Sequence, residues 1–476
     1  MMTLVSPASR RAQLYLTTIL AMVLSGVCLA APAASCTTTV LSSQQVRAAI
    51  DDITTHLASA SYGSARGLPP DIATRLAFLR RTAPSRTPAW QFAFNVNVAL
   101  AKADDGHLGL HLIRDAETHC PTLPVALAWS DRGLFVRSDG PVPKGARIIS
   151  IGGKSLSELQ QLALMAVPHE NVYWARSELA RLLPRADAAL GYGLTAKDGT
   201  VTVTFMRLDG TVGSERIAPA TPLTPPSDWI SYRLFPDRST ALLRLSRLDD
   251  NDEAADKLAA FIAEVIHERI RKVVVDLRGN PGGDASLAVA ILRYLGHTQY
   301  ESFSVDIRLS PELHAEQPRF DPENISSAFV AAGLKPPLIG ARGYSVPGPL
   351  VLAATTQSLP SAPNEVAAGR QLYLLVDGGT FSSAALFALL VRDNRLGVLI
   401  GEPIGTSTSF HGGELDLPIR NIDYYLSVSS TRLERPDPAA GESPTILPDI
   451  LVPLTGTSLA EGKDEALEYV LRAESI

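Results

Sequence analysis

Two adjacent serines, Ser382 and Ser383, follow a glycine pair at the start of an apolar helix pattern. Residues 372–394 predict a buried strand, a turn, the two serines and then the helix. The first turn of a helix carries unpaired backbone amides and the positive end of the helix dipole, and both stabilise negative charge. A serine there can be a nucleophile while the next amide binds an oxyanion, although such a serine is more often a simple N-cap.

A second segment repeats this architecture earlier in the chain. Residues 273–284, V-V-V-D-L-R-G-N-P-G-G-D, predict a buried strand that enters a glycine-rich loop before another helix. Glycine lets backbone amides approach an anion closely, so Gly282 or Gly283 can supply an oxyanion donor. The phosphate-binding spacings of glycine loops are absent, and the remaining alternative is an ordinary tight turn.

Metal and cofactor chemistry has no support in the sequence pattern. The chain has no H-E-x-x-H sequence and no cysteines paired at zinc spacing. The expected site therefore contains no metal, and the chemistry requires no cofactor.

Three motifs in a fixed order resemble those of the C-terminal-processing, or tail-specific, peptidases of family S41. They are D-L-R-G-N-P-G-G, then G-G-T-F-S-S-A, then V-L-I-G-E-P-I-G at residues 398–405, and P-D-I-L-V-P-L at 448–454 adds a weaker match. The resemblance extends over about residues 40–455. It implies a serine nucleophile eleven residues before an aspartate, and counting back from Asp393 favours Ser382 over Ser383. Ala385 stands where the family usually has a glutamate.

The resemblance also implies an oxyanion hole formed by the Ser383 amide with that of Gly282 or Gly283. Family members use either a lysine about twenty-five residues after the serine or a histidine as the base. Position 407 is a serine, and no lysine lies between Lys335 and Lys463. The chain is therefore more similar to the tricorn-like Ser-His members, since a histidine can take the proton at neutral pH.

His107 in D-D-G-H-L-G-L is the first candidate for the base, because similar D-G-H sequences occur in family members that lack the lysine. His411 in S-F-H-G-G is the alternative, as it is near the serine in sequence. Glu442, six residues before Pro448, has a spacing like that of the tricorn-type glutamate and is expected to orient the imidazole. Gly106 stands where that arrangement has a relaying serine, and a solvated loop carboxylate is the other interpretation of Glu442.

The order of secondary-structure patterns predicts an α/β fold with several parts. Residues 36–120 favour an N-terminal helical domain, and 121–225 favour a β-rich module with a helical insert. Strands and helices alternate within 226–476, which predicts parallel strands, with a Pro- and Gly-rich insertion at about 297–369. The resemblance implies that 226–476 is a crotonase/ClpP-like catalytic core and that the β-rich module is PDZ-like.

The N-terminus has the features of a secretory signal. Arg10 and Arg11 precede an apolar run at 14–31 and then small residues, which predicts a signal peptide of residues 1–34. A retained membrane anchor is the main alternative, and a lipid anchor on Cys28 or Cys36 is less favoured. We expect an exported protein, periplasmic or extracellular, without a membrane span after signal removal.

The cysteine count bears on disulfide formation, and the net charge bears on nucleic-acid binding. Cys36 and Cys120 remain in the mature chain, so an exported protein would pair them in a disulfide, two separate thiols being the alternative. A net charge of −6 gives no reason to expect nucleic acid.

The expected function is a serine endopeptidase acting on peptides or proteins, with the substrate's C-terminus held by the PDZ-like module. A catalytically inactive binding protein on the same fold and an esterase are the alternatives, because a fold alone does not establish activity. The oligomeric state stays open.

Overall fold

The computed structural model describes residues 36–473, except 114–116, 118, 221–227, 298, 319–320, 322, 325, 328–338, 341–342 and 347–368. The signal peptide expected at 1–34 lies outside the described residues, as does most of the insertion expected at 297–369. No helix in the described part of the chain is long and apolar enough to span a membrane.

The first part of the chain is helical, as the apolar periodicity predicts. The first long helix begins at a capping box, in which the Gln45 N–H donates to Ser42 Oγ and the Ser42 N–H donates to the Gln45 side chain. A proline starts the second helix, where its missing N–H costs nothing. The elements are β1 (Val40–Leu41), α1 (Ser43–Ala60), α2 (Pro70–Arg81), β2 (Thr87–Pro88), α3 (Ala89–Leu100) and β3 (Gly109–Leu112).

The middle of the chain forms an antiparallel sheet with three helices. The strand order is β4-β5-β6-β8-β9, with β7 paired to β6. The predicted helical insert is two helices, the first capped by Ser155 and the second by Asn171. The elements are β4 (Leu127–Ser130), β5 (Gly133–Val136), β6 (Arg147–Ile151), β7 (Lys154–Ser155), α4 (Leu156–Ala166), α5 (Val172–Leu182), α6 (Ala186–Gly191), β8 (Val201–Met206) and β9 (Val212–Ile217).

The last part contains the predicted alternation of strands and helices. A sheet in the order β10-β11-β12-β16-β17-β20 is parallel except for β10, which pairs antiparallel with β11. The elements are β10 (Ile230–Phe235), β11 (Thr240–Leu245), α7 (Asp252–His267), β12 (Lys272–Asp276), α8 (Ser286–Tyr294), β13 (Ser304–Ile307), α9 (Pro311–Glu316), β14 (Ile339–Gly340), β15 (Gly343–Val346), β16 (Gln371–Val376), α10 (Ser382–Asp393), β17 (Gly397–Gly401), β18 (Phe410–Pro418), β19 (Tyr424–Glu434), β20 (Ile450–Leu451), α11 (Gly456–Glu461) and α12 (Glu465–Arg472).

A further sheet, absent from the sequence-based prediction, joins the two ends of the chain. Its order is β14-β15-β13-β19-β18, and β3 pairs antiparallel with the free part of β19 so that Gly109 faces Ser427. The N-terminal helices pack their apolar faces on β18 and β19 and share one core with them. This pairing brings the segment just before β3, which contains His107, to the C-terminal part of the molecule.

A disulfide joins Cys36 to Cys120, which are 84 residues apart in sequence. Both cysteines are buried in the core that the N-terminal helices share with β18 and β19. The bond therefore ties the start of the described chain to the beginning of the β-rich module.

Candidate active site

Ser382 is the first residue of α10, and its backbone has an unusual conformation. Its φ is 50°, in the left-handed region that non-glycine residues seldom adopt. The N-cap residue is Phe381 and not Ser382, and no side chain caps this helix. Ser382 Oγ is therefore not used as a helix cap. A strained residue at a strand-to-helix turn is an arrangement that positions a nucleophile, and its cost must be offset by surrounding contacts.

Hydrogen bonds between the two glycine-rich loops supply those contacts. Asp377 Oδ1 accepts the N–H groups of Gly279 at 2.8 Å and Gly379 at 2.9 Å. The Phe381 N–H donates to the carbonyl of Asn280 at 3.0 Å. Burial raises the pKa of the Asp377 carboxyl, while the two N–H groups it accepts oppose that shift. The loops that follow β12 and β16 are therefore tied together next to the serine.

Only one of the two glycines expected in the oxyanion hole has an available amide. The Gly282 N–H donates to Asn280 Oδ1 at 2.8 Å and is therefore already engaged. The N–H groups of Gly283 and Ser383 have no acceptor among the described residues. Ser383 Oγ donates to the Gly283 carbonyl at 2.7 Å, which holds these two residues together. A side chain at Gly283 would place Cβ 1.9 Å from the Leu248 carbonyl oxygen, so only glycine fits.

His107 lies directly against Ser382. Its Nε2 is 2.8 Å from Ser382 Oγ, a hydrogen-bond distance between residues 275 positions apart in sequence. The imidazole is buried, with its ring centre 4.5 Å from that of Phe381. Phe381 in turn stacks on Trp174 at 3.9 Å. These rings fix the plane of the imidazole and cover it from solvent.

The Phe381 ring also explains why residue 106 is a glycine. A Cβ at Gly106 would lie 2.7 Å from Phe381 Cζ, which is closer than real Cβ contacts allow. The space beside His107 that a relaying serine would need is therefore filled by an aromatic ring.

Two carboxylates that the sequence did not single out lie near His107. Asp105 Oδ1 is 3.9 Å from His107 Nδ1 and accepts hydrogen bonds from the His107 N–H and Ser429 Oγ. Glu170, from the loop before α5, contributes a second carboxyl group to the cluster. Burial, together with the charge of Asp105, raises the pKa of Glu170 to about 8. Asp105 is visible in the D-D-G-H motif, whereas no local pattern marks Glu170.

Glu442 is placed differently from the expectation. Its two carboxylate oxygens accept hydrogen bonds from Thr408 Oγ1 at 3.0 Å and Ser409 Oγ at 2.7 Å. His107 Nδ1 has no hydrogen-bond partner in the described part of the chain. The expected contact between Glu442 and the imidazole is therefore not formed, and Glu442 instead holds the segment before β18.

His411, the alternative base, lies in the same region but the hydrogen bond of Ser382 is to His107. The His411 N–H donates to Glu170 Oε1 at 3.2 Å, and its ring centre is 6.0 Å from that of Tyr62. Burial lowers the pKa of the His411 imidazole, although the nearby Asp105 opposes that shift.

Comparison with known proteins decides the class of this site. Residues 239–452 match the model of peptidase family S41. The match covers less than half of the chain, and this region is similar to an S41 peptidase domain. The chain is therefore a serine peptidase, a hydrolase. No curated protein has a sequence that matches the chain.

The chain shares its fold with solved structures of low sequence identity. The structure of mature CPAF complexed with lactacystin is 14% identical, with a TM-score of 0.62, and the match covers 90% of this chain and 97% of that one. A structure of mature CPAF is also 14% identical, with a TM-score of 0.59, and the match covers 90% of this chain and 96% of that one. The match to the photosystem II D1 C-terminal processing protease has 14% sequence identity and covers 90% of this chain and 97% of that one. Its TM-score of 0.44 is too low to support a shared fold.

The matched region contains only part of the site. Ser382, Gly283 and Ser383 lie within the matched residues 239–452, whereas His107 and Glu170 precede them. Ser382 and His107 therefore lie on distant parts of the chain, which are joined where β3 pairs with β19.

Proposed function

We propose that this serine peptidase is an exported endopeptidase of the Ser-His type, with Ser382 as nucleophile and His107 as general base. The 2.8 Å contact between Ser382 Oγ and His107 Nε2 is the observation that carries the proposal. A hydroxyl and an imidazole at this distance can exchange a proton directly.

The proposed reaction follows acyl-transfer chemistry. Ser382 Oγ attacks the peptide carbonyl carbon while its proton passes to His107 Nε2, and the carbonyl oxygen becomes an oxyanion. The N–H groups of Gly283 and Ser383, which have no acceptor among the described residues, would donate to that oxygen. His107 then gives the proton to the leaving amine, and water attacks the acyl-enzyme in a second cycle of the same steps.

Asp105 replaces Glu442 in the proposed electrostatic support of the histidine. Asp105 Oδ1 lies 3.9 Å from Nδ1, so negative charge there stabilises the imidazolium that forms when Ser382 loses its proton. Glu442 supports the site indirectly. It accepts hydrogen bonds from Thr408 and Ser409, and the adjacent Ser407 donates to Glu170.

The β-rich module is a candidate for holding the substrate. Helix α5 of this module carries Trp174, which packs on Phe381 beside the serine. On its other side Ser130 Oγ donates to Glu402 Oε1 at 2.8 Å and contacts the Leu454 carbonyl. A PDZ-like module so placed would present the C-terminus of a peptide to the serine.

Labelling with a fluorophosphonate probe tests the nucleophile and its base. We expect the native protein to label, Ser382→Ala not to label, and His107→Ala to label about 10²–10⁴ times more slowly. His411→Ala is the matched control and should keep a rate within a few-fold of the native one. Equal labelling of Ser382→Ala, or loss of labelling only in His411→Ala, would contradict the assignment.

Turnover of a peptide and of its matching ester separates an endopeptidase from an esterase. Hydrolysis of the ester alone would refute the peptidase half of the proposal. N-terminal sequencing of the protein from an exporting host tests the signal peptide, which predicts a mature chain starting just after Ala33 or Ala34.

A further inference from the structure

The buried side of His107, opposite Ser382, contains an unusual group of polar atoms. His107 Nδ1 is buried and has no hydrogen-bond partner among the described residues. One donor atom each from Asp105, His107 and Glu170 lie within 4.8 Å of one another. The three residues come from two distant segments, and their convergence is not required to form the Ser382–His107 contact.

This cluster is electrostatically unbalanced. Within the described part of the chain, neither Asp105 nor Glu170 forms an ion pair with lysine or arginine. Two charged carboxylates in a poorly solvated space repel each other. A cation placed between the two would relieve the repulsion.

The carboxylates are nevertheless held in position by neutral donors. Glu170 accepts from the Ser407 N–H at 3.1 Å, Ser407 Oγ at 3.0 Å and the His411 N–H at 3.2 Å. Asp105 accepts from Ser429 Oγ at 2.9 Å. Hydrogen bonds of this kind orient the ligands of metal sites. Asp105 Oδ1 and Glu170 Oε2 each accept two hydrogen bonds already, so Asp105 Oδ2 and Glu170 Oε1 are the oxygens with capacity for a further interaction.

We propose that Asp105, His107 Nδ1 and Glu170 form a binding site for a divalent zinc-like metal ion, and that the bound ion holds the peptidase inactive. One imidazole and two carboxylates suit zinc, with water as a fourth ligand. Zinc bonds of about 2.0–2.2 Å place tetrahedral donors roughly 3.4 Å apart, so the site must contract by about 1 Å. The inhibition rests on the proposed catalytic role of His107, whereas the binding does not.

The inhibitory effect follows from the two nitrogens of one imidazole. A metal on Nδ1 uses the lone pair there, so in a neutral ring Nε2 carries the hydrogen and donates it to Ser382 Oγ. An Nε2 that already carries a proton cannot accept the proton of the serine. Metal binding and acylation therefore exclude each other, even though the metal never touches Ser382.

Calorimetric titration of the Ser382→Ala chain with zinc chloride tests binding without reference to activity. We expect one tight site per chain, with Glu170→Gln and, separately, Asp105→Asn weakening it at least ten-fold. Glu402→Gln is the matched control, since Glu402 is a buried carboxylate outside the cluster that is hydrogen-bonded to Ser130 Oγ, and should leave the affinity unchanged. Circular dichroism verifies that each variant is folded. Equal affinity in both ligand variants would overturn the site.

Fluorophosphonate labelling of the native chain tests the inhibition. Zinc at saturating concentration should slow labelling at least ten-fold, EDTA should restore it, and magnesium should have no effect. Tight zinc binding that leaves labelling unchanged would overturn the inhibitory role. A metal-free chain that never labels would instead contradict the proposed function, and the binding titration would still decide the site.

Discussion

Gly282 approaches the nucleophile so closely that one added methyl group tests how the two glycine loops position it. A Cβ at Gly282 would lie 2.7 Å from Ser382 Cβ and 3.0 Å from the Ser383 nitrogen. Ordinary carbon–carbon contact begins at about 3.5 Å, so Gly282→Ala must displace Ser382 or its own loop by roughly 1 Å. A displacement of this size costs about 10² in rate when reacting groups must be aligned. We therefore expect fluorophosphonate labelling to slow about 10²-fold.

Gly279→Ala in the same loop is the matched control for Gly282→Ala. Both glycines have positive φ, 70° at Gly279 and 107° at Gly282, so both substitutions strain the backbone. A Cβ at Gly279, however, meets nothing within 4 Å. Gly279→Ala should lower the free energy of unfolding by about 1 kcal/mol and leave the labelling rate within a few-fold of the native one. Labelling rates are compared well below the unfolding temperature of each variant. A native labelling rate in folded Gly282→Ala would refute the described arrangement of the loops.

Two further predictions concern stability. Replacing both Cys36 and Cys120 by serine opens a link across 84 residues and should lower the free energy of unfolding by about 2–5 kcal/mol in urea titrations, with no change refuting the structural role of the bond. The carboxyl group of Glu170 has a pKa of about 8 in the folded chain against 4.5 ordinarily. Its contribution to the free energy of unfolding is therefore full below pH 4.5 and is lost as the pH rises through 8. The stability of the native chain relative to Glu170→Gln should therefore fall by about 1–3 kcal/mol between pH 5 and 8; a difference independent of pH would contradict it.

Local sequence patterns predict the buried parallel strands well. The buried strands predicted at the start of residues 273–284 and 372–394 are β12 and β16, because buried parallel strands read as continuous apolar runs. The glycine pair and serines after β16 form a local strand–turn–helix unit, but the choice of Ser382 came from the order and spacing of the family motifs. The choice of His107 likewise came from a short motif that resembles family members without the lysine.

Contacts between distant segments explain what the sequence did not predict. The pairing of β3 with β19 has no local signal, since either strand would be equally acceptable with another partner. The choice between Gly282 and Gly283 depends on the side chain of Asn280, which takes the N–H of Gly282. Glu170 reaches His107 only because the loop before α5 packs on the segment at 407–411.

The position of Glu442 shows how one local change can redistribute the roles of a site. With Phe381 occupying the space beside Gly106, no serine fits there to relay a contact from the imidazole towards Glu442. His107 Nδ1 instead lies 3.9 Å from Asp105 Oδ1. Glu442 keeps a structural use, because Thr408 and Ser409 bind it while their neighbour Ser407 binds Glu170. The aromatic residue just before the nucleophile therefore accounts for both the glycine next to the histidine and the replacement of the carboxylate behind it.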